Sequence, residues 1–197
     1  MSLEQISIFL AMMLPLVWSA GPNNIMCASV GSKYGIRKIF PFIVGLNLAI
    51  FTRSLAIGFG VGALFELYPM ALIVLKYMGV FYIFYLALTF LSTEIQKEKQ
   101  KCSFGFREGF LLSVLNGKGV IVTLLMYSQL LDTHSSRWFQ ALILSLGLLT
   151  LTVTSHFIWV AGGKFFEKII FKGRFLTAQN YIFSGLLFIV GIRIFLG

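Results

Sequence analysis

Gly21-Pro22-Asn23-Asn24 interrupts the first apolar segment of the chain, where an unbroken helix would otherwise run. The chain is apolar on both sides, over residues 6–18 and 25–28. Proline lacks a backbone N–H and crowds the carbonyl four residues earlier, so it breaks the helical hydrogen-bond ladder. In hydrocarbon each freed polar group costs several kcal/mol, and such a break persists only against protein or a water-filled cavity. The stretch therefore predicts a broken membrane helix beside a cavity.

The composition indicates that the chain resides in a bilayer. Of its 197 residues, 58% are hydrophobic and only 12% are charged, whereas a soluble domain is about half apolar and about a quarter charged. We therefore expect an all-α, polytopic membrane protein. The net charge of +9 does not indicate a nucleic-acid partner, because the basic residues lie in short loops between apolar segments, where the positive-inside rule places them.

The N-terminal segment has one feature of a signal peptide, but it lacks another. Trp18-Ser19-Ala20 resembles a small-residue cleavage site, whereas Met1 to Gln5 contains Glu4 and no Lys or Arg. A signal peptide begins with positive charge. The segment is therefore interpreted as a membrane helix.

Six segments have the roughly 20 apolar residues that a membrane helix needs. They are predicted at about 3–29, 39–64, 71–91, 109–131, 138–161 and 179–196. We expect one transporter domain over residues 1–197. Its first half extends to about residue 95, a basic cytoplasmic loop covers about 92–107, and the second half begins at about 108.

The charges of the loops predict the orientation of these spans. The loops after the second and fourth spans contain one basic residue between them, Arg137. The loops after the first, third and fifth spans hold eleven basic residues, namely Lys33, Arg37, Lys38, Lys97, Lys99, Lys101, Arg107, Lys164, Lys168, Lys172 and Arg174. Both termini are therefore predicted to lie outside the cytoplasm.

The two halves of the chain resemble one another. Residues 77–83 are similar to residues 181–187, and Gly45 and Gly147 hold comparable places in the second and fifth spans. The break in the first span corresponds to Asn116-Gly117-Lys118-Gly119 in the fourth. Three spans per half would invert the second half in the membrane. Inverted repeats with paired breaks are typical of secondary transporters, whose substrate binds between the breaks.

The first break offers a site for a carboxylate. A helix that restarts near Asn23 presents unpaired N–H groups with about half a positive charge, which attract an anion. Asn23 and Asn24 can cap that end and offer donors and acceptors, so Gly21, Pro22 and both asparagines are predicted to bind substrate. The alternative is a plain proline kink whose asparagines bond a neighbouring helix.

Four further residues are candidates for the same site. Lys118 lies well inside its span, where a charge is costly, and is expected to face a cavity, together with Asn116. Snorkelling to an interface is the alternative. Asn47 and Arg53 lie in the second span, and Arg53 either faces the interior or snorkels outward.

His156, deep in the fifth span, is the candidate for proton coupling, because histidine changes charge near neutral pH. The alternative is that it only hydrogen-bonds another helix. No Asp or Glu lies near the middle of a predicted span. Walker, His-Glu-x-x-His and His/Cys metal patterns are absent from the sequence, so we expect no enzyme activity, catalytic residue, cofactor or metal.

These motifs resemble those of the LysE/RhtB family of exporters. The family's first span carries Gly-Pro-Asn followed by Gly-x-Arg, here Gly21-Pro22-Asn23 and Gly35-Ile36-Arg37. Its fourth span carries Phe-x-x-Gly-Phe and Asn-Pro-Lys, here residues 106–110 and Asn116-Gly117-Lys118, with Gly in place of Pro. The third and last spans resemble the family at residues 79–86 and 185–193.

The resemblance covers the full length and implies a six-helix exporter of amino acids or close derivatives, driven by the proton gradient across a bacterial inner membrane. Asn24 after Asn23, and Gly117 in place of proline, are most similar to the cysteine/O-acetylserine branch, with a threonine/homoserine type as the alternative. The implied partners are an amino-acid substrate and the lipid bilayer, and a homo-oligomer is left open.

Two other classes remain alternatives. Small membrane proteins that relay disulfide electrons also have six spans, with one cysteine in each inverted half. Cys27 fits one half, but Cys102 lies in a loop. The second alternative is a membrane scaffold that transports nothing. A buried Lys118 and two helix breaks disfavour it, because such features are costly in a membrane protein that has no use for them.

Overall fold

The computed structural model of the chain consists of α-helices in its described part. That part comprises residues 3–67 (side chains to 60), 105–131, 136–163, 165, and separate positions within 70–88 and 181–195. The helices are α1 (Leu3–Trp18), α2 (Pro22–Leu67), α3 (Phe106–Val114), α4 (Gly117–Leu130) and α5 (Arg137–Ala161). This agrees with the predicted all-α class. The third and sixth predicted spans lie largely outside the described residues, so the six-span inverted repeat stays a prediction.

The long helix α2 is two helices joined at Gly35. This residue has φ 74° and ψ 163°, a backbone conformation that glycine adopts at little cost and other residues do not. A continuous helix would hold Gly21 and Arg53 about 48 Å apart, yet both line one cavity. Val30 and Ile39 likewise pack in one apolar cluster. The chain therefore reverses at Gly35.

We call the two parts α2a (residues 22–34) and α2b (residues 36–67). The sequence predicted a basic loop between the first two spans, from Lys33 to Lys38. The structure shows helix on both sides of a single non-helical residue, because one glycine supplies the whole reversal.

Two helix breaks bring the site residues together. The first separates α1 from α2a at residues 19–21, where the sequence predicted an interruption. The second separates α3 from α4 at residues 115–116, and these two helices meet at a bend of 61°. The fourth span is thus broken at the predicted position.

Length and apolarity fit several described helices to a bilayer. By length and composition, Arg137–Ala161 can cross a membrane, and so can the run Pro22–Gly60, which contains the reversal at Gly35. The bent pair of α3 and α4 makes a third span if it counts as one. On α2b, Phe40, Val44 and Leu48 are exposed at four-residue spacing, which is one helical face. A large apolar face left exposed along a helix is typical of lipid contact.

The interior contains a buried group of hydroxyls between α2b, α4 and α5. Tyr127 Oη lies 3.3 Å from Ser54 Oγ and 3.0 Å from Ser145 Oγ, and it donates to the carbonyl of Ala141 at 3.1 Å. Gly58 lets the Tyr127 ring approach, since a Cβ there would lie 2.6 Å from the phenol oxygen. These bonds fix three helices next to the cavity.

Candidate functional site

A cavity of about 500 Å³, counting its open mouth, lies where the two helix breaks meet. Its apolar wall comes from Leu16, Val17, Ile50, Val122 and Leu148. The remaining lining residues are small or polar, namely Ser19, Gly21, Asn23, Asn24, Arg53, Asn116, Lys118, Gly119, Thr123, Thr152 and His156.

Side chains from other helices satisfy the carbonyls that the first break frees. Asn24 Nδ2 donates to the carbonyls of Val17 at 2.8 Å and Ser19 at 2.9 Å. Trp159 Nε1 donates to the carbonyl of Trp18 at 3.2 Å. Ser155 Oγ donates to Asn24 Oδ1 at 3.2 Å. The C-terminal end of α1, which a helix cannot satisfy itself, is therefore held by α2a and α5.

Two hydrogen bonds join the breaks across the cavity. Asn116 Nδ2 donates to Asn23 Oδ1 at 3.0 Å, and Lys118 Nζ donates to Ser19 Oγ at 2.6 Å. Asn116 is also the N-cap of α4, since its Oδ1 accepts from the Gly119 N–H at 3.3 Å. The Lys118 side chain points to the first break and does not extend to an interface.

Arg53 reaches the second break from α2b. Its Nη1 donates to the carbonyl of Ser113 at 2.6 Å, at the C-terminal end of α3. Its Nε is buried and has no hydrogen-bond partner among the described residues. Gly119 leaves room for the guanidinium, because a Cβ there would lie 2.6 Å from Arg53 Nη2. One donor of Arg53 thus fixes the break, and another is left without a partner among the described residues.

His156 lines the cavity from α5. The residue is 2% exposed, and its Nδ1 has no hydrogen-bond partner within the described part of the chain. Thr152, one turn earlier on α5, lines the same cavity. Its hydroxyl donates to the carbonyl of Leu149 at 3.0 Å, so the oxygen is left as an acceptor.

The electrostatics of the cavity favour an anion. Two cationic side chains, Lys118 and Arg53, line it, and its described lining contains no Asp or Glu. The N-termini of α2a and α4 lie at the same place, and each adds partial positive charge. This arrangement can hold a carboxylate of a small molecule.

Most of the predicted site residues come together in this cavity. Gly21, Asn23, Asn24, Arg53, Asn116, Lys118 and His156 line it. Pro22 and Asn47 do not belong to its lining. Asn47 Nδ2 instead donates to the carbonyl of Ile43 in its own helix at 2.8 Å. Pro22 starts α2a and acts through the backbone, since its missing N–H is one that a helix start leaves unpaired.

Sequence reasoning missed several lining residues. Among them, Thr123 and Thr152 carry no sequence signal that separates them from other hydroxyls in apolar spans. Ser19 had a signal of position, because it lies directly before the break. Cys27 is fully buried and does not line the cavity, and Cys102 lies outside the described residues.

Paired broken membrane helices around a polar cavity define a membrane transport protein as a class. The family model described as LysE type translocator matches residues 14–197. The chain therefore belongs to the LysE family of translocators, which confirms the family resemblance found in the sequence. It is a bacterial inner-membrane protein.

Several proteins are similar over nearly the full length. An uncharacterized membrane protein of Vibrio cholerae is 23% identical over 92% of this chain and 93% of its own. A cysteine/O-acetylserine efflux protein of Salmonella paratyphi A is 26% identical over 89% of each chain. A leucine efflux protein of Enterobacter sp. is 22% identical over 88% of this chain and 86% of its own. No solved structure matches the chain.

Proposed function

We propose that this protein exports small amino acids or close derivatives from the cytoplasm, using the proton gradient. The observation that carries the proposal is the meeting of two helix breaks around a cavity with two cations and no acid in its described lining. Membership of a translocator family supports export. The names of the similar efflux proteins support an amino-acid substrate.

The substrate carboxylate binds between the two breaks. The Lys118 ammonium donates a hydrogen bond to Ser19 Oγ at 2.6 Å. A substrate carboxylate oxygen can replace Ser19 Oγ as the acceptor, because a charged acceptor forms a stronger hydrogen bond. Arg53 contributes the Nε–H that is unpaired among the described residues. The Asn23–Asn116 bond offers both a donor and an acceptor to the same ligand.

The apolar wall selects the substrate side chain. Leu16, Val17, Ile50, Val122 and Leu148 present aliphatic surface, against which a short apolar, thiol or ester side chain packs. Burying such a group contributes about 25 cal/mol per Å² of apolar surface. We therefore favour a substrate of the cysteine/O-acetylserine type, with threonine or homoserine as the alternative.

Proton coupling requires a group that binds and releases a proton during the cycle. No carboxylate lies in the described lining, whereas His156 does. Imidazole is the side chain that ordinarily changes charge between pH 5 and 8. His156 is therefore the coupling residue of the proposal.

A panel of efflux measurements tests the function. Cells that overproduce the protein are loaded with labelled cysteine, O-acetylserine, threonine, homoserine or leucine, and the loss of label is compared with that of cells carrying an empty vector. We expect faster loss for at least one of these compounds and tolerance to its toxic analogues. Unchanged efflux over the whole panel would exclude the exporter function.

A further inference from the structure

We propose that the unprotonated nitrogen of the His156 imidazole accepts a hydrogen bond from the α-ammonium group of the substrate, and that a proton on the same nitrogen excludes the substrate. This inference rests on the proposed function. It adds the site for the amino group and the step at which substrate and proton exchange. The substrate class that it defines is a compound with both a free carboxylate and a free primary amine.

The geometry of His156 requires an explanation beyond packing. Its Nδ1 is buried and lacks a partner among the described residues, although the residue is only 2% exposed. Most buried polar atoms in proteins are hydrogen-bonded, and those that are not cost stability. The His156 side chain borders the cavity, so the proposal gives the imidazole a partner in the bound ligand.

Thr152 provides a second acceptor on the same helix. Its hydroxyl hydrogen is donated to the carbonyl of Leu149, so its oxygen can accept from a ligand. The neighbour of His156, Ser155, bonds Asn24, and Asn23 bonds Asn116. The acceptors on α5 are thereby held against the two breaks, next to the place proposed for the carboxylate.

Both charged side chains in the described lining that His156 shares are positive. They are Arg53 on α2b and Lys118 on α4, while the first break contributes Ser19 and α5 contributes Thr152. An ammonium group that enters this cavity meets no carboxylate in the described lining. It must therefore be held by neutral acceptors, of which the neutral imidazole nitrogen is the most basic.

The substrate ammonium and a proton compete for one lone pair of the His156 imidazole, so substrate and proton must exchange. A neutral imidazole has one acceptor nitrogen, and protonation turns that nitrogen into a donor with positive charge. A proton from outside therefore displaces the substrate ammonium. The next substrate binds only after the proton has left to the cytoplasm. Each cycle exports one substrate and imports one proton, and no further reactant is needed.

Purified protein in liposomes tests the amino-group site. Exchange of labelled L-cysteine and L-leucine is competed with 3-mercaptopropionate and 4-methylpentanoate, which keep the carboxylate and side chain but lack the amine. We expect the analogues to compete about tenfold or more weakly, because a hydrogen bond to a charged group is lost. Equal competition by the analogue and its parent amino acid would overturn the inference.

Variants of His156 distinguish its role as a hydrogen-bond acceptor for the substrate from its role in binding a proton. His156→Ala removes the acceptor, and we expect exchange to fall about tenfold. His156→Gln keeps an acceptor oxygen but binds no proton. We expect it to exchange faster than the Ala variant, without dependence on pH between about 5.5 and about 7.5. It should also accumulate no substrate under an imposed proton gradient. Thr154→Val, at an exposed position of the same helix, is the matched control.

The outcomes distinguish this inference from the function on which it rests. If the wild-type protein exchanges amino acids while His156→Gln still accumulates substrate under a proton gradient, the role of His156 is wrong and the exporter function stands. If the wild-type protein exchanges no amino acid of the panel in liposomes or cells, the function itself fails and the inference fails with it.

Discussion

Asn23 and Asn24 are neighbours in sequence and have different roles in the structure. Asn24 uses its amide nitrogen for two carbonyls of the first break and its amide oxygen for Ser155. Asn23 instead bonds Asn116 across the cavity. Asn24 therefore stabilises the break, whereas Asn23 belongs to the surface that a ligand meets.

Lys118 provides the first prediction at this scale. Lys118→Ala removes the charge proposed to bind the substrate carboxylate, and we expect efflux to fall about tenfold or more. The rate of label loss from preloaded cells measures this, with the amount of protein in the membrane determined by immunoblot. Lys33→Ala, at an exposed position beside the Gly35 turn, is the control. Normal efflux by Lys118→Ala would contradict the site assignment.

Gly119 and Gly117 form a matched pair for a second prediction. A Cβ on Gly119 would lie 2.6 Å from Arg53 Nη2, whereas a Cβ on Gly117 would have no neighbour within 4 Å. Because Nη1 of Arg53 is held by Ser113, the guanidinium cannot move aside without breaking that bond. We expect Gly119→Ala to reduce efflux several-fold and Gly117→Ala to leave it near normal. Equal rates for the two variants would show that the position of Arg53 does not matter.

At the scale of the elements, glycines set how closely the helices approach. A Cβ on Gly45 of α2b would overlap the carbonyl of Phe106 and lie 2.9 Å from the backbone nitrogen of Phe110 on α3. A Cβ on Gly109 of α3 would likewise overlap the carbonyl of Phe42 on α2b. This is the close backbone approach that small residues allow between membrane helices.

This helix crossing gives a third prediction. Gly45→Ala forces α2b and α3 apart, and overpacking of this kind costs about 1–3 kcal/mol. The unfolding midpoint in detergent should fall by several degrees. Gly60→Ala is the control, because a Cβ there meets nothing within 4 Å. A midpoint of Gly45→Ala that matches that of Gly60→Ala would contradict the close approach.

At the scale of the whole molecule, two contacts that a two-fold axis would relate to each other support the predicted repeat. Gly45, in the second predicted span, packs on α3 of the fourth, and Gly147, in the fifth, lies against the Phe9 ring of α1 in the first. A two-fold relation between the halves would produce such a pair. The repeat itself stays a prediction, because most of the third and sixth spans lie outside the described residues.

The orientation is the fourth prediction, made from the loop charges. Single cysteines replace Tyr34 and Ser136, both exposed, in a chain whose Cys27 and Cys102 are changed to serine. A maleimide that cannot cross the membrane should label position 136 in whole cells and position 34 only after permeabilisation. The reverse pattern would place the termini in the cytoplasm.

Local chemistry determined much of this protein from the sequence alone. Residence in a bilayer follows from the content of apolar residues, which needs no knowledge of contacts. The positions of both breaks follow from Pro22, Asn116 and the adjacent glycines, because these residues act on the backbone beside them. The same motifs carried the resemblance to the family, which the family model confirmed.

Only the tertiary structure decided which groups meet. Lys118 pairs with Ser19, 99 residues away in the chain, and Arg53 reaches the carbonyl of Ser113, 60 residues away. Asn47 was predicted, like Asn23, to bind substrate, yet it lies apart from the cavity lining. A residue type states which bonds a side chain can form. Which of those bonds it forms, and whether His156 is left with an unpaired nitrogen, depends on the packing of helices that are distant in sequence.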